Sequence, residues 1–103
     1  MVTIQQAVEF IRKNDVLKKW TDAEIYDEIA RAIFNNALVY STDKNGVICG
    51  ICFGDDFKDE MRLHVKCILG HGHLKSYIDY FKKHYPDYVI SAYRDGVFKI
   101  LKI

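Results

Sequence analysis

The stretch Met61 to Pro86, MRLHVKCILGHGHLKSYIDYFKKHYP, constrains the fold more than any other part of this chain. From Met61 to Leu69 the odd positions Met61, Leu63, Val65, Cys67 and Leu69 are apolar, and Arg62, His64 and Lys66 alternate with them. A period of two is that of a strand with one buried face, so the spacing predicts a strand here. Leu74, Tyr77, Ile78 and Phe81 then recur at the spacing of one helical face, with Lys75, Asp79, Lys82 and Lys83 on the polar side. Pro86 ends that helix because its nitrogen has no hydrogen to donate. Between strand and helix lies Gly70-His71-Gly72. A strand passing through such a turn into a helix aims several backbone N–H groups at one point, with the positive end of the helix dipole behind them. Leu69, Gly70, His71, Gly72 and His73 are therefore a candidate anion site, with a water-filled corner as the alternative.

Upstream, Thr3 and Gln6 form a capping box ahead of Ile4, Ala7, Val8 and Ile11, which predicts a helix from about Ile4 to Asn14. Thr21 and Glu24 repeat the signature before Ile25, Ile29, Ala32 and Ile33, so a second helix is expected to run to Asn35, with Trp20 stapled onto Ile25. Ala37 to Thr42 and Val47 to Gly54 are rich in β-formers and flank Asp43-Lys44-Asn45-Gly46, the signature of an antiparallel hairpin. Asp55 to Glu60 reads as a polar, acidic loop, solvated or holding a cation, that leads into the Met61 strand. Downstream, Tyr88 to Tyr93 reads as a strand, Arg94-Asp95-Gly96 as a tight turn and Val97 to Ile103 as a last strand. The Met61 strand, the Leu74 helix and the Tyr88 strand make one β-α-β unit, whose strands run parallel with a right-handed crossover. The expected fold is α+β: a mixed, mainly antiparallel sheet with one parallel β-α-β unit and helices on both faces, in a single domain over residues 1–103.

Charge and size narrow the function classes. The 103 residues suffice for one core and not for two. Fifteen basic and 14 acidic side chains leave a formal charge of +1, which argues against a large phosphate-neutralising surface. No apolar run reaches the roughly 18 residues needed to span a bilayer, and Glu9, Arg12 and Lys13 interrupt the N-terminal apolar positions, unlike the core of a signal peptide. The three cysteines, an odd number on or beside apolar runs, suit a reducing compartment. A soluble, cytoplasmic protein is expected.

Two helices, a hairpin feeding a central strand, a glycine turn and a helix leading to a parallel strand resemble the core of the GNAT N-acetyltransferase superfamily. In that family the turn after the central strand carries Arg/Gln-x-x-Gly-x-Gly/Ala, whose amides hold the pyrophosphate of acetyl-coenzyme A. The matching residues here are Cys67-Ile68-Leu69-Gly70-His71-Gly72, with both glycines present and the Arg/Gln absent. The resemblance implies acetyl-CoA as cofactor, held at Leu69, Gly70, His71, Gly72 and His73. It also implies a general base on or beside the central strand and a tyrosine acid after the parallel strand, for which Glu60, His64 and Tyr93 are the nearest residues. The chain departs from the family in lacking a strand before the Ile4 helix and in passing from the Tyr88 strand straight into a last strand. This truncated form is similar to small GNAT-like proteins of tailed bacteriophages, some virion-associated and without evident catalytic residues. That likeness implies a degenerate binding or assembly role, with host cytoplasm or virion as the location and a protein partner or self-association as the mode of action.

Three rival chemistries come from the residues themselves. Cys49, Cys52, Cys67 and His71, with His73 as substitute, have the ligand types of a structural zinc site. Yet positions three apart on a strand face opposite ways, and buried free thiols are the alternative. Tyr77, Tyr80, Phe81, Tyr85, Tyr88 and Tyr93 stand among Lys75, Lys82, Lys83 and Arg94 as in a nucleic-acid stacking surface, but core packing accounts for half of these aromatics. The last strand, apolar on both faces, is either central in the sheet or an edge open to a partner.

Overall fold

The structure, a computed structural model, describes residues 2–70, 73–94 and 97–101. Both capping boxes form. Thr3 Oγ1 accepts from the Gln6 amide at 3.1 Å while Gln6 returns a bond to the Thr3 amide, opening α1 (Ile4–Lys13). Thr21 and Glu24 do the same for α2 (Asp22–Phe34). The connector between them is fastened by Arg12, which pairs with Asp22 at 2.6 Å and donates to the carbonyls of Leu17 and Trp20. Ala7, Val8 and Ile11 of α1 and Ile25, Ile29 and Ala32 of α2 are buried, as their spacing implies.

The expected hairpin is β1 (Leu38–Thr42) and β2 (Ile48–Phe57). At its turn the Asp43 carboxylate accepts from the amides of Asn45 and Val47, and Gly46 takes a φ of +79° that a side chain would oppose. β3 (Arg62–Leu69), α3 (Leu74–His84), β4 (Val89–Arg94) and β5 (Val97–Ile100) follow. The five strands lie in the order β1-β2-β3-β4-β5, antiparallel except for the parallel pair β3 and β4.

Two expectations are corrected. Asp55 to Glu60 is not a loop: β2 continues through Phe57, and only Lys58–Glu60 forms a short turn. The strand persists because Asp55 is neutralised across the ladder by Lys66, at 2.6 Å, so its charge does not need to leave the sheet. The last strand stops at Ile100, since Leu101 turns inward, partly buried, with its amide on the Ile90 carbonyl. Lys102 and Ile103 lie outside the described residues.

The sheet has one consequential irregularity. The β2–β3 register steps from Phe53 opposite Cys67 to Gly54 opposite Val65, leaving Lys66 as an extra residue. Neighbours on one strand point to opposite faces, so Phe53 and Gly54 do, and therefore Cys67 and Val65 do as well. The single buried face expected for this strand is thus divided. On one face, Leu38, Tyr40 and Ile51 line a crevice of about 290 Å³ with Ile4 and Ala7 of α1 and Ile29 and Ile33 of α2. On the other, Ser41 meets Tyr77 of α3 at 2.9 Å, and Leu63 and Val65 pair with Ile90 and Ala92. Gly54 is needed at the step, because a Cβ there would overlap the His64 carbonyl oxygen.

Lys66 ties α2 to the sheet. Its ammonium lies 3.2 Å from Glu28, 2.6 Å from Asp55 and 5.1 Å from the centroid of the Trp20 ring. Both carboxylates are mostly buried, and Glu28 also pairs with Arg31 at 3.2 Å, so removing the cation leaves Asp55 without its partner and Glu28 with Arg31 alone. Lys66→Ala is expected to cost about 2 kcal/mol, seen as a lower urea midpoint at unchanged m-value. The double change Lys66→Met with Asp55→Asn should recover most of that loss, since Glu28 keeps Arg31, and no recovery would assign the effect to packing instead.

Candidate functional site

β3 and β4 are paired only from Arg62 with Val89 to Val65 with Ala92. Beyond that point β3 stays with β2 and β4 stays with β5. The divergence leaves a cleft of about 300 Å³ lined by Val65, Lys66, Cys67, Ile68, Leu74, Ala92 and Tyr93. Leu74 is the first residue of α3, so the cleft reaches the N-terminus of that helix. His73 is its N-cap and offers no side-chain capping bond, so among the described residues the first-turn amides have no side-chain cap. Leu69 is half-buried at the end of β3, and Gly70 takes a φ of +108°. His71 and Gly72 lie outside the described residues.

His64 and Tyr93, far apart in sequence, are brought together with ring centroids 5.1 Å apart. The register explains the meeting: His64 pairs with Ser91 and Tyr93 with Phe98, all on one face of the sheet. Phe98 lies parallel to the His64 ring at 6.0 Å. The Arg62 guanidinium lies 4.6 Å from the Phe57 ring centroid and 5.4 Å from that of Phe98, close enough for cation–π attraction. Sequence reasoning missed Ser91, Arg62, Phe57 and Phe98 as members of this cluster. Arg62 and His64 two positions apart on one strand were a usable signal, but the pairing of His64 with Ser91 depends on a parallel register that no local pattern contains.

Hydrogen bonding fixes the state of His64. Arg62 Nη1 donates to Ser91 Oγ at 3.0 Å, and the same oxygen lies 3.0 Å from His64 Nδ1. A guanidinium only donates, so Ser91 Oγ accepts from Arg62; Nδ1 is the other polar atom within hydrogen-bond distance of that buried oxygen among the described residues, so pairing the hydroxyl hydrogen requires that it point to Nδ1. The imidazole then carries its hydrogen on Nε2 and is neutral. Burial, and next the Arg62 charge, hold His64 below its ordinary value of 6.5. Glu60, the carboxylate candidate, is engaged by Arg62 at 3.1 Å.

The cysteines are placed differently from a zinc set. Cys52 and Cys67 are buried and Cys49 is half-buried, and among the described residues no three His, Cys, Asp or Glu side chains are grouped to hold a metal. His71 lies outside those residues. Burial pushes the Cys67 thiol up to about 12, and the Cys52 thiol higher, so both are poor nucleophiles at neutral pH. Among the described residues, no helix is long and apolar enough to cross a membrane. No protein-family model, no curated protein and no solved structure matches the chain.

Two measurements check this geometry. A histidine held below its ordinary value binds fewer protons folded than unfolded, so folding stability is undiminished above about pH 6.5 and falls as pH drops through that value toward the folded one. An NMR titration should place the His64 midpoint below 6.5, and Arg62→Gln should move it upward; a midpoint above 6.5 would contradict the proton arrangement. A thiol reagent should modify one cysteine per native chain, Cys49, and all three after denaturation. Rapid labelling of Cys52 or Cys67 in the native protein would contradict their burial.

Proposed function

We propose that this chain is a non-catalytic binding and assembly module of GNAT-like arrangement, whose working surface is the half of the sheet that α1 and α2 leave open. The observation that carries this reading is the exposure of Phe57, Val89, Tyr93, Phe98 and Ile100, which the strand register assigns to one face. Tyr93 is 66% exposed, Ile100 54% and Phe98 45%. A contiguous apolar patch of that kind marks an interaction surface more than a solvated one. Its cation is neutralised, since Arg62 is paired with Glu60, so it suits a protein partner better than nucleic acid or an anionic membrane. The resemblance to small phage-encoded GNAT-like proteins supports the same role, with host cytoplasm or virion as its place.

The second reading is acyl transfer from acetyl-CoA to an amine. It is favoured by the approach of His64 to Tyr93 and by the cleft between β3 and β4 that runs to the start of α3. In that reading the amides around Leu69, Gly70, His71, Gly72 and His73 hold the pyrophosphate and Tyr93 protonates the leaving thiolate. The residues present fit the group only in part, because the Arg/Gln of the motif is Cys67 and the base is compromised. His64 already receives a proton at Nδ1 and carries its own on Nε2, so the ring has no free lone pair to deprotonate an amine.

Native mass spectrometry with and without acetyl-CoA separates the two. The expected result is no coenzyme adduct and a mass above that of one chain. A stoichiometric coenzyme adduct, lost in the Gly72→Val variant, would overturn the non-catalytic reading in favour of the acyltransferase.

A further inference from the structure

The assembly reading names a surface without its occupant, and the hydrogen-bond directions of β5 select one. We propose that β5 pairs antiparallel with β5 of a second copy of this chain, about a two-fold axis at Phe98, joining the two sheets into one; this rests on the assembly reading above. β5 is last in the strand order, and among the described residues nothing pairs with its outer side. All four of its residues are exposed. The strand contains no proline and no register shift; its protections as an edge are its length of four residues and the single charge of Lys99.

The direction of each backbone group follows from one bond. Leu101 donates to the Ile90 carbonyl at 2.8 Å, which makes Ile90 and Leu101 a hydrogen-bonded pair of the antiparallel ladder. Bonded and non-bonded pairs alternate, so Lys99 with Ala92 and Val97 with Arg94 bond inward. Phe98 and Ile100 therefore aim both N–H and C=O away from β4. Any strand added at this edge must bond to those two residues.

Two copies related by a two-fold axis normal to the sheet keep their faces aligned, so residues that pair must come from the same face. Phe98 and Ile100 share a face, opposite Tyr93 and Ser91. Ile100 against Ile100 would overlap the two strands at that residue alone, because β5 ends there, so the choices are Phe98 against Phe98 or Phe98 against Ile100. The second puts Lys99 directly opposite Lys99 in a non-bonded pair, with Cα atoms only about 4.5 Å apart, and like charges placed that way are destabilising. The first puts Lys99 opposite Val97 and sets two Phe98 rings side by side. Phe98 is already held for this by His64, parallel at 6.0 Å, and by Tyr93 at 5.8 Å. The edge is complementary to itself in one register and repulsive in the neighbouring one, which favours a second copy over an unrelated strand.

The test is a solution mass together with a register-specific cross-link. In a Cys49→Ser background, Phe98→Cys places two thiols across the axis on Cα atoms about 5.5 Å apart, within disulfide reach, whereas Lys99→Cys places each opposite Val97. The expected result is a two-chain mass by light scattering, and under mild oxidation a covalent dimer from Phe98→Cys and not from Lys99→Cys. Phe98→Pro should weaken association at least tenfold without unfolding the chain, because the amide it removes faces outward; if that variant misfolds, the cross-linking pair decides. A single-chain mass at every concentration, or cross-linking from Lys99→Cys in preference to Phe98→Cys, overturns the proposal. A single-chain mass would leave the assembly reading standing with a different partner, whereas a coenzyme adduct would remove that reading whether or not the copies pair.

Discussion

The structure depends on the extra residue at Lys66. A strand hydrogen-bonded on both sides and strictly alternating would present one apolar face throughout its length. The step in the β2–β3 register assigns Cys67 to the face of Phe53 and Val65 to the face of Gly54. That division lets one sheet serve two sets of helices. α1 and α2 pack over Leu38, Tyr40 and Ile51 of the hairpin, while α3 crosses the opposite face, with Tyr77, Ile78 and Phe81 buried. Lys66 stands at the boundary. Its ion pairs with Glu28 and Asp55 close off the reach of α2, and past it the face that carries Arg62 and His64 is left uncovered.

Much of the architecture was legible in the sequence because the signals were local. The two capping boxes start the first two helices where Thr3 and Thr21 indicate, and the helical spacing of Tyr77, Ile78 and Phe81 identifies the buried side of α3. The parallel pairing of β3 and β4 followed from the chain direction imposed by a helix between them. What failed was the inference from polarity alone. Asp55 and Asp56 look like a solvated loop, yet Asp55 lies in β2 because its countercharge is on the neighbouring strand. The bulge was illegible for a related reason: Val65, Lys66 and Cys67 continue the alternation without interruption, and the irregularity exists only in their pairing.

The same distinction governs the site. His64 and Tyr93 were visible as residue types, and the structure brings them together. Their protonation was not visible, because it is set by Ser91 and Arg62, which meet His64 only through the parallel register. Ser91 looks like an ordinary polar residue in a short strand. Buried between a permanent donor and an imidazole, it fixes where the imidazole hydrogen resides. Arg62 thereby does two things at once: it orients Ser91 and it disfavours a charged His64. A general base needs a lone pair and a nearby stabiliser for the cation it becomes. His64 has its Nδ1 lone pair occupied and a guanidinium as neighbour, which is the reverse of that requirement.

The open sheet half is consequently organised around neutrality. Arg62 is balanced by Glu60 and Lys66 by Asp55 and Glu28, while His64 is held uncharged. What remains outward is aromatic and aliphatic surface on Phe57, Val89, Tyr93, Phe98 and Ile100. Charged clusters at catalytic centres are arranged to change their charge during a reaction; here the imidazole is held below its ordinary value by burial and the neighbouring guanidinium. On the proposed assembly reading, such a surface is buried against another apolar surface, where each pre-paired charge needs no new partner and so adds little desolvation cost. The arrangement also says where that burial should begin. Tyr93, Phe98 and Ile100 lie on β4 and β5, next to the sheet edge at which the outward N–H and C=O groups of β5 have no strand partner among the described residues. Apolar area supplies the driving force there and the backbone supplies the register.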